Sequence, residues 1–159
     1  MATYAKKYID SARTYGGPQG NASRLRFKLE TTAAGVVSDS NATVALAATD
    51  KVKLGVLPAG MTIMDCLGIV SDAFTATSTL TLGFEYVDGV DDANVPQDAD
   101  YFYAALAINA QGRTRANNLA VTPVTLPKAA YLVAVNNTAT QAEAGRVDFI
   151  IEGILTGNP

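Results

Sequence analysis

Apolar and polar side chains alternate along several short stretches of the chain. RLRFKLE (24–30) places Leu25, Phe27 and Leu29 on one side and charged residues on the other, and KVKLGV (51–56) and STLTLGFEYV (78–87) repeat this pattern. A period of two residues is that of a half-buried β-strand. YLVAVNN (131–137) and RVDFIIEGIL (146–155) are rich in β-branched and aromatic residues, which strands favour. Six to eight such strands predict an all-β protein, an antiparallel β-sandwich or jelly-roll-like barrel.

The stretch KVKLGVLPAGMTIMDCLGIV (51–70) combines an alternating strand, a turn and a strand that is apolar on both faces. Pro58 and Gly60 suit a type I turn over residues 57–60. Strict alternation after this turn puts one set of side chains on each face: Met61, Ile63, Leu67 and Ile69 on the first, and Met64, Cys66, Gly68 and Val70 on the second. Such a strand is either central in the core or shared with a subunit contact, for which Met61, Ile63 and Met64 are the candidates.

Two other stretches differ from this strand pattern. QDADYFYAALAI (97–108) contains an aspartate near its start and several alanines, and it predicts at most one short helix. YGGPQGNAS (15–23) is a turn-forming cluster that cannot continue a helix. We therefore expect residues 1–23 to form an extended or partly disordered N-terminal arm and residues 24–159 to form a single β domain.

Charge is distributed unevenly along the chain. Residues 1–28 carry six basic side chains against Asp10, a net charge of +5, and the remaining residues carry six basic and fourteen acidic side chains, a net charge of −8. The six are Lys6, Lys7, Arg13, Arg24, Arg26 and Lys28. This pattern predicts either a solvated terminus or a basic arm that contacts an acidic surface. Nucleic acid is not the expected partner, because the acidic body repels phosphate.

Charged residues make up only 17% of the chain, below the roughly 25% of typical soluble domains, and a weakly charged surface is typical of proteins in assemblies. No apolar run reaches the roughly 18–20 residues of a membrane-spanning helix, so no membrane partner is expected. The first residues also lack the apolar core of a signal peptide, and Cys66 is a single cysteine, so we expect synthesis in a reducing cytoplasm.

The sequence contains few residues that could take part in catalysis. Histidine is absent, which removes the commonest general base and metal ligand, and Cys66 fits a buried structural thiol. One acidic cluster consists of Asp88, Asp91, Asp92, Asp98 and Asp100. Its oxygen ligands suit calcium, but its spacing does not match a calcium loop, and a solvated loop is the competing interpretation. No enzymatic activity and no cofactor are expected.

The order VKLGVLPAGMTIMDCLGIV, STLTLGFEYVDG and DADYFYAALAI, over roughly Lys51 to Ile108, resembles head decoration (capsid cement) proteins of tailed bacteriophages. The resemblance implies an all-β fold and a symmetric homo-oligomer, a trimer. It also implies a virion protein, assembled in the host cytoplasm, that binds the major capsid protein on the outer surface of the head and bridges capsid subunits. The arm residues are then capsid-contact candidates. Two alternatives remain open: a tail component, head-fibre component or minor capsid subunit, and a calcium-dependent carbohydrate-binding module that uses the acidic loop.

Overall fold

The computed structural model describes residues 1–5, 22–119 and 122–155, which form ten β-strands and no helix. The strands are β1 (Thr3–Ala5), β2 (Ala22–Thr31), β3 (Lys51–Leu57), β4 (Met61–Asp72), β5 (Thr79–Tyr86), β6 (Asp98–Ala107), β7 (Gly112–Arg115), β8 (Val124–Thr125), β9 (Ala130–Asn136) and β10 (Gly145–Leu155). Within this part of the chain no segment forms a helix that could cross a membrane.

The strands form two sheets that pack on a common core. The first sheet has the order β1-β3-β9-β5-β6, and the second has the order β2-β10-β4-β7, with β8 also paired to β4. Every pair is antiparallel except β1 with β3, which is parallel. The predicted all-β, mainly antiparallel fold is confirmed, and the first residues of the predicted arm belong to the first sheet.

Alternation along the strands supplies the core between the sheets. Leu25, Phe27 and Leu29 are buried as the sequence predicts. Gly55 of β3 faces the Phe27 ring so closely that a β-carbon would lie 2.4 Å from Cε1, and this glycine therefore lets the two sheets approach each other. Each fully buried large apolar side chain stabilises the fold by about 1.5–3 kcal/mol.

The turn before β4 differs from the predicted type. The Met61 amide donates to the Pro58 carbonyl oxygen at 3.3 Å, so the turn covers residues 58–61 and not 57–60. Gly60 is then the third turn residue, with φ of +75°, the position where a type II turn requires a positive φ. The turn carries the chain from the first sheet to the second.

A β-bulge in β4 changes which side chains enter the core. Asp65 lies opposite Glu152 and Ile63 opposite Gly153, so Met64 is an extra residue without a partner on β10. The core side therefore shifts from Met61 and Ile63 to the buried residues Cys66, Gly68 and Val70. The expected uninterrupted alternation is wrong at this point, and Leu67 and Ile69 lie on the outer side of the sheet.

The predicted helix over residues 97–108 is wrong: this segment is strand β6. Three consecutive aromatic residues, Tyr101, Phe102 and Tyr103, are all buried, and aromatic side chains favour strands. Register shifts in the pairing with β5 break the period of two, which hid the strand in the sequence. The carboxylate of Asp98 accepts a hydrogen bond from the Asp100 amide at 3.0 Å and caps no helix.

Candidate functional site

The outer side of the second sheet carries an apolar strip. Ile150 of β10 lies opposite Leu67 of β4, and Ile69 lies two pairs further along, opposite Asp148; the three apolar side chains are half-buried. The bulge residue Met64 is 51% exposed and Ile154 is 38% exposed. We call these five residues (Met64, Leu67, Ile69, Ile150 and Ile154) the docking face. Asp65 and Glu152 lie opposite each other between Leu67–Ile150 and Met64–Ile154, so the docking face consists of two apolar groups with a charged pair between them. Exposed apolar groups on a sheet are typical of an interaction surface.

Paired charges surround the docking face. Four ion pairs join strands or neighbouring residues there: Arg24–Glu152 at 3.1 Å, Arg26–Asp148 at 2.7 Å, Arg146–Asp148 at 3.1 Å, and Arg115–Asp65. The Asp148 carboxylate raises the pKa of the Arg146 guanidinium. Exposed pairs of this kind contribute only about 0–1 kcal/mol each to stability. Apolar side chains interspersed with paired charges occur in protein–protein interfaces, which as a whole are about as apolar as the rest of a protein surface.

The predicted contact residues are divided between the core and this surface. Met61 and Ile63 are fully buried within the chain, so their side chains cannot contact another subunit, and this corrects their prediction as contact residues. Met64 is the one of the three that is exposed. Ordinary alternation explains the difference, because Met64 follows the buried Ile63 and so lies on the opposite, outer side of the strand.

The predicted arm residues are also divided. Arg24, Arg26 and Lys28 belong to β2, where they pair with body carboxylates; Lys28 Nζ lies 2.6 Å from Glu30 and 3.5 Å from Asp39. The neighbouring Glu30 raises the pKa of Lys28. Lys6, Lys7 and Arg13 lie outside the described residues.

Ile150 and Ile154 were not identified as contact residues from the sequence. The stretch VDFIIEGIL has apolar residues on both faces, the same signal that singled out MTIMDCLGIV, and it is the direct partner of that stretch in the sheet. Two adjacent strands that are each apolar on both faces would have indicated the docking face, had their pairing been known.

The acidic loop directs its carboxylates toward its own backbone. Asp91 accepts a hydrogen bond from the Gln97 amide at 2.7 Å, and Asp92 accepts from the amides of Asn94 and Val95. Asp88 pairs with Lys128 at 2.8 Å, and that ammonium lowers the pKa of Asp88. Burial, together with the nearby Asp100, raises the pKa of Asp98. Across residues 1–5, 22–119 and 122–155, no three acidic, histidine or cysteine side chains are grouped so that they could hold a metal ion.

We expect calcium to leave the protein unchanged, because the loop carboxylates already accept backbone and lysine hydrogen bonds. Adding about 10 mM calcium, which nearly fills sites with a Kd of about 10⁻⁴–10⁻³ M, should shift the melting temperature by less than about 1 °C. Scanning calorimetry with magnesium as the control measures this. A calcium-specific rise of several degrees would restore the calcium-loop hypothesis.

Cys66 is buried on the core side of β4, beside the hydroxyl of Tyr103. The Tyr103 oxygen lies 2.6 Å from the Thr114 carbonyl oxygen and 3.0 Å from that of Cys66, which share its one proton, and it accepts from the Gly68 amide at 2.9 Å, so it links β6 to β4 and β7. Burial raises the pKa of the Cys66 thiol to about 12. A neutral, inaccessible thiol is a poor nucleophile and metal ligand.

The Cys66 thiol is expected to react with a thiol reagent at pH 8 at least about a hundredfold more slowly in the folded protein than in guanidinium, because the thiolate is the reactive form. The folded protein also holds this proton more tightly than the unfolded chain does, so the free energy of unfolding should fall as the pH rises from about 9 toward 12. A Cys66→Ala variant serves as the control for both measurements. Rapid native labelling would contradict the burial.

No protein-family model matches the sequence, and no curated protein is similar to it. Two solved structures are similar in fold. A chain in the capsid of Ralstonia phage GP4 superimposes with a TM-score of 0.67 and 18% identity, covering 99% of this chain and 100% of that chain. A chain in the cyanophage Pam1 capsid asymmetric unit superimposes with a TM-score of 0.56 and 16% identity, covering 88% and 89%. This chain therefore has a fold that also occurs in the capsids of two bacteriophages.

Proposed function

We propose that this chain is a non-enzymatic structural protein of a bacteriophage virion, which decorates the outer surface of the head and stabilises the shell by bridging capsid subunits. The observation that carries the proposal is the fold it shares, over 99% of its length, with a chain of the Ralstonia phage GP4 capsid. The order of motifs between Lys51 and Ile108, which resembles head decoration proteins, supports the same role.

The side chains of the docking face support a binding role. Its two most exposed residues, Met64 and Ile154, offer apolar area to a partner, and ion pairs lie beside them. We assign the contact with the major capsid protein to this face. The free energy of binding then adds to shell stability, about 2.7 kcal/mol per site at a concentration of one hundred times Kd, and many copies multiply the effect.

The experiment mixes purified protein with capsid shells that lack it. We expect the shells to bind the protein up to a fixed ratio to the capsid protein, which sedimentation measures. We also expect a higher melting temperature of the shell, which calorimetry measures. Light scattering of the free protein tests the proposed trimer separately. Shells that neither bind the protein nor gain stability would overturn the decoration role, whatever the oligomeric state.

The basic residues Lys6, Lys7 and Arg13 are proposed to add an electrostatic contact with the shell. Replacing all three with glutamine leaves β1 and β2 in place, unlike deletion of residues 1–23, which removes β1 and the start of β2. We expect weaker shell binding at low salt and a smaller difference at high salt. Unchanged occupancy at low salt would remove the arm from the proposal.

A further inference from the structure

Strand β2 ends the second sheet and has an open edge. One edge pairs with β10 over all ten residues. On the other edge, the Ser38 amide donates to the Glu30 carbonyl oxygen at 2.8 Å, so the Glu30 backbone faces away from β10. Alternate residues of a strand direct their N–H and C=O groups to the same edge, so those of Lys28, Arg26 and Arg24 face this way too. Among the described strands, none lies beside this part of the edge.

The side chains along the open edge form a basic row. Arg24, Arg26 and Lys28 lie on the outer side of β2, with side chains 76%, 59% and 30% exposed. Their inner flank is acidic, because Glu152 and Asp148 of β10 lie beside Arg24 and Arg26. On the outer side of the sheet, acidic residues of β10 therefore lie beside basic residues of β2.

The segment that follows β2 in this chain indicates which side chains fit beside the open edge of β2. After β2 it turns back, Val37 bridges Thr31, and Asp39 comes within 3.5 Å of Lys28. Asp39 has a φ of +53°, which directs the chain away before it reaches Arg26. Where the described chain extends beyond the edge, it thus places an acidic side chain beside Lys28, and no acidic side chain of the described residues pairs with Arg24 or Arg26 from that flank.

We propose that this edge accepts an extended segment of another protein, with acidic side chains at alternate positions, as an additional strand beside residues 22–28. Strand addition of this kind gains affinity from backbone hydrogen bonds and specificity from alternate side chains. A second copy of β2 is a poor occupant, because antiparallel pairing would place Arg24, Arg26 and Lys28 against the same basic residues. The segment 6–21 of this chain has three basic residues and one acidic residue, so its charge is also unfavourable.

The test uses the full chain and synthetic nine-residue peptides. A peptide of alternating glutamate and threonine should bind about tenfold more tightly than one of alternating lysine and threonine, because each opposite-charge pair across strands is worth several tenths to one kcal/mol. Hydrogen exchange should show slower exchange at the amides of Arg24, Arg26 and Lys28 when the peptide is present. N-methylation along one edge of the peptide should abolish binding, and along the other edge should leave it unchanged.

Two variants separate strand addition from general charge attraction. Replacing Arg24 and Arg26 with glutamine should remove the preference for the acidic peptide. Replacing Arg113 and Arg115 of β7 with glutamine changes the net charge equally, on the far edge of the same sheet, and should leave the preference intact. Circular dichroism confirms that both variants fold. Slow exchange of the β2 edge amides without peptide would show that the edge is already covered. That result, or equal binding of both peptides, would overturn the proposal.

Discussion

Replacing Met64 and Ile154 together with aspartate is expected to weaken binding to capsid shells by more than about a hundredfold. Both side chains are exposed on the docking face, so in the free protein each new carboxylate stays in water and the free energy of unfolding should change by less than about 1 kcal/mol. In the complex the same carboxylates would be buried without partners, at a cost of several kcal/mol. Sedimentation of shells with labelled protein measures the loss.

The matched control replaces Val44 and Val90 with aspartate. These two valines are 59% and 62% exposed and lie outside the docking face, so the change in charge and in apolar area is similar. We expect the control variant to bind shells as the unchanged protein does. Equal loss of binding in both variants would show that net charge, and not the docking face, governs the interaction.

Phe149→Ala is expected to reduce the free energy of unfolding by about 3–5 kcal/mol. Phe149 is fully buried at the centre of β10, opposite Phe27 and Gly68, with its ring centroid 6.5 Å from that of Tyr103. The cavity left behind would lie between the two sheets, where neighbouring strands cannot close it. Urea unfolding followed by circular dichroism gives the magnitude.

Ile150→Ala, at the next residue, is the comparison that separates the two faces of β10. Its half-buried side chain lies on the docking face, so we expect a stability loss of about 1 kcal/mol and a measurable loss of shell binding. Equal destabilisation by the two substitutions would mean that the outer side of the sheet is as important to the fold as the core side.

The alternating strands were predictable because a period of two is a local property of the sequence. In β2, every residue expected in the core is buried and every charged residue expected outside lies outside. The bulge in β4 could not be predicted, since it depends on how β4 pairs with β10, about eighty residues further along the chain. Strand β6 was mistaken for a helix for a related reason: its irregular pairing with β5 removes the alternation.

At the candidate site, too, single residues could be identified from the sequence, whereas their contacts with distant residues could not. The sequence identified the basic residues Arg24 and Arg26, but their partners Glu152 and Asp148 lie more than one hundred residues away, and only the register of β2 on β10 brings them together. Met64 was a candidate because of its position on a strand that is apolar on both faces, and it is exposed. Met61 and Ile63 were candidates for the same reason and lie in the core, because they occupy the inner side of β4, opposite to that of Met64.

The most direct test of the proposed role is an electron-microscopic reconstruction of shells saturated with this protein. We expect density for a two-sheet domain on the outer surface of the head, with the docking face of β4 and β10 against the capsid protein. Density on the tail or inside the shell, or a domain whose first sheet faces the capsid protein, would contradict it.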